Sequence, residues 1–506
     1  MRKYGPQMAE YVLGLDVGTS SAHCLLVNHH GEPLGGNDAP ITYYCPPGCS
    51  PLAREFNPRQ VMDTMGCLVR ETCRQAGIAS HEVAALGITS QRQGMVLLED
   101  TGREVYCGPN VDLRSVFEGA ALDEEAGPEI YQTTGYFPSM MLAPARLRWF
   151  RSHQPETLAN ASSLLSVAGW LAYRLTGEKR GGEGLDDGLG LVDLSTRQHA
   201  TCLLEKLCFP IDLVPPLSQS GEQIGKLLPD LAECWGLPAG VPVTLAGADS
   251  QCGLLGLGLD SAGDAGAVLG WSGSVHMLTC TPAWDFVHQR SWVGCYPIGG
   301  LYTAEANLGD AGLAWSWLMR TVGGPDLSYE KAEELAQEVS PGCDGVLSFL
   351  GPSPLSAPRA GLRLGGIIMP TPLTFQETTP AQMLRSYLES VAFSIKSNLD
   401  AVSELVGQTP PVFYFGGRFA RSEVLAAALA NLLAVPVYRS RESRVSAAGA
   451  AAAAWVAAGR FATLEEAVAE PGAGFDIALP EPVATAEYQE HYQRWLNVYE
   501  KLSPLS

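Results

Sequence analysis

Apolar runs joined by a short glycine-containing turn occur twice along the chain, once in each half. The first turn joins YVLGLDV to HCLLV through residues 18–22, and the second joins AGAVLG to VHMLT through residues 271–274. Two apolar runs on either side of such a turn are typical of a β-hairpin. Because these turns expose backbone N–H groups and hydroxyls, two of them facing each other predict a clamp for an oligophosphate.

The rest of the hydrophobic pattern alternates helices with strands. Segment 241–258 predicts a buried strand that turns into a helix of small residues. The Ala-rich segment 446–458 predicts a helix that packs closely beneath the nucleotide segment described below. Glycine-rich residues 181–190 predict a mobile loop, and Pro/Gly-rich residues 351–372 predict a connector. The pattern also predicts strands over 83–89 and 412–415 and helices over 58–77, 144–153, 164–175, 310–319, 380–406 and 422–433.

Length and composition indicate two large domains. The chain has 506 residues, of which 46% are hydrophobic and 17% charged, as in ordinary globular proteins. We divide it into residues 1–254 and 255–506, which would form two similar α/β halves hinged at the middle. The alternative is a pair of unrelated domains whose turns match by coincidence.

Charge and segment composition exclude several classes of function. A net charge of −21 leaves no basic footprint for nonspecific binding to nucleic acid or anionic membranes. Asp16 interrupts the first apolar run, so a signal-peptide core is lacking, and the apolar stretch 445–458 is too short to span a bilayer. The 13 cysteines include no C-x-x-C pair and suit reduced thiols. We therefore expect a cytoplasmic protein with neither a nucleic-acid nor a membrane partner.

Three predicted strands end in residues that suit a ligand site. Asp16 and Asp249 each come at or just after the end of an apolar strand, and Gly416 and Gly417 follow the strand at 412–415. Ligands bind open α/β sheets at the carboxyl ends of the strands. Taken alone, Asp16 would be interpreted as a turn-forming residue; together, the three endings predict a nucleotide site with two carboxylates.

With these endings the chain resembles the FGGY carbohydrate kinases, members of the superfamily that includes actin and hexokinase. The resemblance covers nearly the whole chain and implies an α/β fold of two actin/hexokinase-like (ribonuclease H-like) domains around a central cleft. Residues 1–254 would bind sugar and phosphate, and residues 255–506 would bind the nucleotide. The segments that carry it are DVGTSS from Asp16, ITSQRQG from Ile88, NVDLR from Asn110, AGADS from Ala246, LGWSGS from Leu269, GGRFARSEVLAAALANLLAVPV from Gly416 and ESRVSAAGAA from Glu442.

The resemblance implies transfer of the ATP γ-phosphate to a hydroxyl of a small sugar or polyol, with Mg²⁺ as the metal and a homodimer as the assembly. Asp249 would be the catalytic base, and Asp16 would hold Mg²⁺ through water, with Asp249 beside it. The implied sugar contacts are Arg92, Gln93, Asp112, Asp249 and Ser250. The implied nucleotide contacts are Gly18, Thr19, Ser20, Gly270, Trp271, Gly312, Gly416, Gly417 and Arg421.

Some of these roles have structural alternatives. Asp112 suits an anchor or a residue of the pocket rim better than a catalyst, Arg92 could form a surface salt bridge, and Arg421 could serve as a turn or cap residue. Three positions also depart from the family pattern: His23 replaces an Arg or Lys, Trp271 replaces a Thr, and Asn110 replaces a Trp.

The substrate stays open at this point. Ser90-Gln91-Arg92-Gln93-Gly94 differs from the G-Q-M-H-G of the xylulokinase branch, although the overall layout fits a xylulose-like substrate. The segments REFNPRQVM and GMVLLEDTG resemble the autoinducer-2 kinase branch, which acts on a small linear polyhydroxy ketone. A noncatalytic ATP-binding hinged protein is the competing class. It would need neither Asp249 nor a polyol pocket.

Overall fold

The computed structural model describes residues 10–355, 365–370, 377–468 and 474–502. The strands in these ranges are β1 Tyr11–Val17, β2 Ser21–Asn28, β3 Pro33–Pro40, β4 Tyr43–Tyr44, β5 Glu55–Phe56, β6 Val83–Ser90, β7 Met95–Leu98, β8 Glu104–Gly108, β9 Ser163–Ser166, β10 Gly181–Gly182, β11 Val192–Asp193, β12 Gln198–His199, β13 Leu217–Ser218, β14 Gln223–Lys226, β15 Pro242–Ala248, β16 Ala265–Leu269, β17 Gly273–Thr279, β18 Trp292–Cys295, β19 Tyr302–Gly309, β20 Leu347–Ser348, β21 Ile367–Ile368, β22 Phe413–Gly417, β23 Val437–Ser440 and β24 Phe475–Ala478.

The helices in the same ranges include a very long one and several short ones. They are α1 Pro58–Ala76, α2 Val116–Thr134, α3 Ala143–His153, α4 Pro155–Asn160, α5 Val167–Thr176, α6 Glu183–Asp186, α7 Thr201–Lys206, α8 Pro229–Trp235, α9 Asp249–Gly256, α10 Ala311–Gly323, α11 Tyr329–Gln337, α12 Pro380–Val406, α13 Glu423–Leu433, α14 Val445–Ala457, α15 Leu464–Val468 and α16 Pro482–Leu502.

The first large sheet has the strand order β14-β15-β6-β1-β2-β3. Strand β1 runs antiparallel to β2 and parallel to β6, and β6 in turn runs parallel to β15. The outer strands β3 and β14 are each antiparallel to their neighbour. The predicted first hairpin is therefore present, and its turn is residues 18–20.

The second large sheet repeats this topology. Its order is β18-β19-β17-β16-β22-β23-β24. Strand β16 is antiparallel to β17 and parallel to β22, β22 is parallel to β23, and the strands β19 and β24 each join antiparallel. From β24 to β19 the directions match those from β14 to β3, with β18 added at the edge. The matching topology therefore favours two related halves over the alternative of two unrelated domains whose turns match by coincidence.

Helix α14 belongs to the second half by sequence, yet it lies on the first sheet and on helix α9. Ala447, Ala451 and Ala454 pack with Val12 and Ala85 of the first sheet in one buried apolar cluster. Its extensive contacts are with α9, β1, β6 and β15, and near the nucleotide segment Val445 lies 3.1 Å from where a Cβ on Gly416 would be. We expected this helix to pack beneath the nucleotide segment, which was wrong for most of the helix. The glycine and apolar positions against which α14 packs lie on the first sheet.

Glycines make this close approach of α14 possible. A Cβ placed on Gly14 would lie 1.8 Å from the carbonyl oxygen of Ala447, and one on Gly87 would lie 1.8 Å from that of Ala450. On the side of α9, a Cβ on Gly449 would lie 2.0 Å from the Cys252 oxygen. These separations are impossible for real atoms, so the backbone of α14 rests directly on β1, β6 and α9.

Most of the predicted elements are confirmed to within one or two residues, including the long helix α12. Segment 164–175 was wrong in its first part: residues 163–166 form strand β9, which pairs with β7, and the helix begins at Val167. Segment 181–190 is a buried strand and helix, with Leu185 and Leu189 inaccessible, and not a mobile loop. Its glycines serve close packing, since a Cβ on Gly184 would lie 3.0 Å from the Cys295 oxygen. The connector 351–372 falls partly outside the described residues.

Two further observations concern membrane-spanning helices and disulfide bonds. None of the described helices is long and apolar enough to cross a membrane. All 13 cysteines fall within the described ranges, and none of them forms a disulfide.

Gly87→Ala should destabilise the protein by about 3 kcal/mol or more, because the new methyl group meets backbone that cannot move aside. Urea unfolding followed by tryptophan fluorescence measures the loss. Gly299→Ala is the matched control, since a Cβ there meets nothing within 4 Å. Equal stability of the two variants would contradict the packing described for α14.

Candidate active site

Three parallel strands of the first sheet end at one edge and carry the candidate chemistry there. In register, Val17 of β1 lies beside Ser90 of β6, which lies beside Ala248 of β15. Asp16 is one residue before that edge, and Asp249 is one residue beyond it. The structure therefore brings together the two carboxylates that the sequence placed 233 residues apart (249 − 16).

Asp16 is buried, and its Oδ1 has no hydrogen-bond partner among the described residues. Burial raises its pKa to about 7; the nearby His23 opposes this increase, and Asp249 adds to it. A carboxylate in this condition gains from any cation that approaches it, since the cation replaces the hydration lost on burial.

Asp249 begins helix α9 and keeps part of its surface accessible. Its Oδ1 accepts a hydrogen bond from the backbone N–H of Ser250 at 2.8 Å. Burial raises the pKa of this carboxyl, against the opposing effects of Arg92 and the Ser250 N–H. A raised pKa makes a carboxylate a better proton acceptor, which suits a general base.

The first turn is fixed by side chains from three other segments. Asn110 donates from Nδ2 to the Thr19 hydroxyl at 2.8 Å, and Gln91 donates from Nε2 to the Gly18 oxygen at 3.2 Å. The hydroxyl of Tyr43 donates to the Thr19 oxygen. Asn110, which stands where the family has Trp, thus orients the turn that the sequence assigns to phosphate.

A row of charged side chains crosses the first sheet beside this turn. His23 lies opposite Asp16 in register, and Asp38 lies opposite His23. His23 Nδ1 is 3.2 Å from Asp38 Oδ1, and Arg444 Nε donates to the same oxygen at 2.6 Å. Arg444 immediately precedes α14. His23 stands where the family has Arg or Lys, and Arg444 from the other half places a fixed positive charge on the same Asp38 oxygen that His23 contacts.

Arg92 is buried and bound by a residue from the second sheet. Its two terminal nitrogens donate to the two carboxylate oxygens of Glu305 on β19, and both side chains are buried. Burial would lower the pKa of Arg92, but Glu305 raises it above its usual value. The guanidinium also lies over the rings of Trp292 and Tyr136, at 5.4 and 5.9 Å. The alternative of a surface salt bridge is thus excluded.

Several buried polar groups surround this ion pair without hydrogen-bond partners among the described residues. A Cβ on Gly294 would lie 2.7 Å from both the Gln251 Nε2 and the Tyr136 hydroxyl, so these two groups lie close together beside Gly294. Buried polar atoms of this kind are rare in proteins and indicate a site for a polar ligand. The unpartnered atoms here are Tyr136 Oη, Ser250 Oγ, Gln251 Oε1 and Nε2, His276 Nδ1 and Thr303 Oγ1.

Two predicted sugar contacts have other surroundings. Asp112 is fully buried, and its oxygens accept hydrogen bonds from the Arg54 and Arg114 backbones, the Arg114 side chain and the Tyr106 hydroxyl. These contacts agree with the interpretation of Asp112 as a structural anchor. Gln93 is also buried and has a positive φ of 64°, which turns the chain directly after Arg92.

Gly18, Thr19 and Ser20 form the first turn, and the other predicted nucleotide contacts lie at the corresponding edge of the second sheet. Gly312 donates from its N–H to the Trp271 oxygen at 2.8 Å, and Gly417, with φ of 92°, lies so close to Leu269 that a Cβ would be 2.3 Å from its oxygen. Gly270, Trp271, Gly312, Gly416 and Gly417 are thereby grouped around the second turn. The Trp271 side chain is 39% exposed, and Arg421 is exposed as well.

The residues at the first edge fit a divalent cation that is bound together with phosphate. Among the described residues there is no cluster of three or more His, Cys, Asp or Glu side chains that could hold a metal alone. Mg²⁺ in phosphoryl-transfer sites is commonly held by one or two carboxylates, with phosphate and water completing its shell. The unpartnered Oδ1 of Asp16, with Asp249 beside it, meets that requirement.

Two sheets of the same topology, with carboxylates at the edge of one and a glycine-lined turn at the edge of the other, give the chain the fold of the actin and hexokinase class. The model for the N-terminal domain of the FGGY family of carbohydrate kinases matches residues 11–256, and the model for its C-terminal domain matches residues 267–458. The chain belongs to the FGGY family of carbohydrate kinases, and it is a sugar kinase.

Known proteins similar to the chain are also kinases. Autoinducer-2 kinase of Escherichia coli (strain K12) is 27% identical over 511 residues, which cover 97% of this chain and 94% of the relative. A xylulose kinase from Rhodospirillum rubrum is 25% identical, with a TM-score of 0.82 over 98% of this chain and 99% of that one. Glycerol kinase of Plasmodium falciparum, solved with ADP, has a TM-score of 0.79 at 17% identity, over 97% and 98% of the two chains.

Sequence reasoning missed the second-sheet side of the pocket. Glu305 stands alone as a charged residue in the strand YTAEANLG, and a charge within a buried strand is a sign of a paired or functional group. Asp187 was assigned to a mobile loop, but its Oδ2 accepts a hydrogen bond from the Cys295 N–H at 2.7 Å near the pocket. Tyr136, Gln251 and His276 carry no comparable signal in the sequence.

Asp186, next to Asp187, gives a test of the electrostatics in this region. Burial raises its pKa to about 7, assisted by Asp187 and opposed only by the Gly182 N–H. Because the folded state holds the proton more tightly than the unfolded state, the stability contributed by Asp186 is full below pH 4 and is lost as the pH rises to about 7.

Asp186→Asn should therefore stabilise the protein by about 1–4 kcal/mol at pH 8, and by much less at pH 4. Thermal unfolding of both proteins at the two pH values measures the difference. An advantage that is the same at pH 4 and pH 8, or that is larger at pH 4, would contradict the raised pKa.

Proposed function

We propose that the protein transfers the γ-phosphate of ATP to a hydroxyl of a short, linear polyhydroxy ketone or polyol, with Asp249 as the general base. The observation that carries this proposal is the position of Asp249: it is an accessible carboxylate beside the buried Arg92 and a group of unpartnered polar atoms. Residues 1–254 and 255–506 would form two domains that bind ATP and sugar in the cleft between them.

The acceptor would lie between Asp249 and Arg92. Two of the five N–H donors of Arg92 are used by Glu305, which leaves the others to donate to hydroxyl oxygens. The unpartnered Tyr136 hydroxyl, Gln251 amide and His276 nitrogen supply further donors and acceptors at the same place. A flexible polyol is held in one orientation only when several such groups bind it at once.

Proton transfer would accompany the formation of the new oxygen–phosphorus bond. The substrate hydroxyl attacks the γ-phosphorus, its proton passes to the carboxylate of Asp249, and the bond to ADP breaks with its electron pair leaving on ADP. Mg²⁺, held by Asp16 with Asp249 beside it, would neutralise charge on the phosphates. The first turn, fixed by Asn110 and Gln91, would contact the transferred phosphate through Thr19 and Ser20.

The glycine-lined turn of the second sheet would hold the rest of the nucleotide. Gly312 and Gly417 let the backbone pack directly against Gly270 and Leu269, and Gly270, where a Cβ would meet nothing within 4 Å, leaves backbone open to the close approach of phosphate. Trp271 would cover the nucleotide with an exposed ring, and Arg421 would lie at the adenosine end.

Two acceptors fit this class. Similarity over 97% of the chain favours the autoinducer-2 type, since the curated relative carries that activity in its name. A xylulose-like ketose is the second candidate, and the likeness to xylulose kinase from Rhodospirillum rubrum supports it. An assay of acceptor-dependent ADP release with both compounds, and with a panel of polyols, distinguishes them.

Asp249→Asn should lower kcat by about 10²- to 10⁴-fold, because the amide cannot accept the hydroxyl proton. Binding of a non-hydrolysable ATP analogue should change little, and calorimetry checks that part. Asp230→Asn is the matched control, since Asp230 is also in the first turn of a helix but is exposed outside the site. The proposal would be contradicted by a fully active Asp249→Asn variant, or by a wild-type protein whose ADP release no sugar or polyol stimulates.

A further inference from the structure

We infer that Glu305 makes the acceptor pocket selective for uncharged polyhydroxy compounds, so that sugar acids are excluded. The inference rests on the proposed function, because it takes the space beside Arg92 and Asp249 as the acceptor site. It adds a specificity-determining residue from the second half of the chain and defines the substrate class by charge.

The first step is the state of Arg92. An unpaired arginine in a buried polar pocket is a strong binding site for a carboxylate, which it can hold with two parallel hydrogen bonds. Here Glu305 already occupies that arrangement, with one oxygen on each terminal nitrogen of Arg92. The group most suited to attract an anionic substrate is therefore neutralised by the protein itself.

The second step is the charge of the surroundings. Arg92 is the cation at the centre of the pocket, and it is faced by the carboxylates of Glu305, Asp249 and Asp187. His276 adds no positive charge near neutral pH, because burial lowers its pKa to about 4; its Nδ1 lies 3.8 Å from the Glu305 carboxylate. Glu305 therefore balances the charge of Arg92, and any ionised fraction of Asp249 and Asp187, whose pKa values burial raises, makes the surroundings negative.

The third step is the effect on ligands. A hydroxyl-rich neutral molecule can use the remaining N–H groups of Arg92 and the unpartnered atoms of Tyr136 and Gln251 without adding charge. A carboxylate in the same place would have to give up its water next to the Glu305 carboxylate, and Arg92, which is already paired with Glu305, does not compensate it. Like charges brought together in a buried site repel each other strongly, so a sugar acid should be excluded.

The position of Glu305 explains why a residue of the second half determines the selectivity for uncharged ligands. Glu305 lies in register between His276 of β17 and Trp292 of β18. All three are buried, and this row of side chains packs against Arg92 of the first half. Neutralisation of Arg92 therefore depends on the two halves being together, which is also when the acceptor would be enclosed.

The test compares one acid, xylonate, with a neutral ketose of the same carbon number, xylulose. Calorimetry in the presence of Mg²⁺ and a non-hydrolysable ATP analogue should show that wild-type protein binds xylonate at least about 100-fold more weakly than its best neutral ligand among xylulose, xylitol and glycerol. Wild-type protein that binds xylonate as tightly as that ligand would overturn the inference, whatever the variants do.

Glu305→Gln keeps the shape of the side chain and removes its charge, so it should bind xylonate at least about tenfold more tightly than wild type does. Glu305→Asp keeps the charge and should keep the exclusion. Glu389→Gln is the matched control: Glu389 is a buried glutamate paired with Arg385 at 2.9 Å, and the change should leave xylonate binding as in wild type.

Unchanged or weaker binding of xylonate by a folded Glu305→Gln variant would overturn the inference, as would an equal gain in Glu389→Gln. The proposed function fails by a different readout, namely the absence of ADP release with every neutral acceptor. Because the ratio of xylonate affinities between variant and wild type needs no turnover, the two failures are told apart.

Discussion

The direct contact of helix α14 with the first sheet is the constraint on which the rest of the molecule depends. Without side chains at Gly14 and Gly87, the carbonyls of the helix rest on β1 and β6, and Gly449 gives the same closeness to α9. Asp16 lies on β1, Asp249 begins α9, and Arg92 follows the end of β6 by two residues. A helix from the second half thus supports the edge where the chemistry of the first half lies, so neither half is complete alone.

The site that results is held together by packing and not by favourable electrostatics. Burial raises the pKa values of Asp16, Asp186 and Asp187 to about 7 and raises that of Asp249 as well. Arg92 keeps its charge because Glu305 reaches it from the other sheet. Such unfavourable groups persist where the surrounding fold over-determines them, and a cation close to the carboxylates would relieve them.

The sequence was informative wherever the chemistry is local. Both hairpins, most helices and the endings at Asp16 and Asp249 could be predicted, since turn residues and hydrophobic periodicity act over a few residues. Glu305 could not, because its role arises only when β19 is brought to Arg92 by the pairing of two sheets. The glycine-rich segment 181–190 was misinterpreted for a related reason: glycine allows close packing as well as mobility, and only the neighbours decide which applies.

A crystal structure of the protein with Mg²⁺, a non-hydrolysable ATP analogue and its acceptor tests the central claim most directly. The account predicts the reacting hydroxyl within about 3.2 Å of an Asp249 oxygen, with the metal on the side of Asp16 and the acceptor in contact with Arg92. An acceptor bound away from Asp249, or a nucleotide whose γ-phosphate does not reach the turn at Gly18, Thr19 and Ser20, would contradict it.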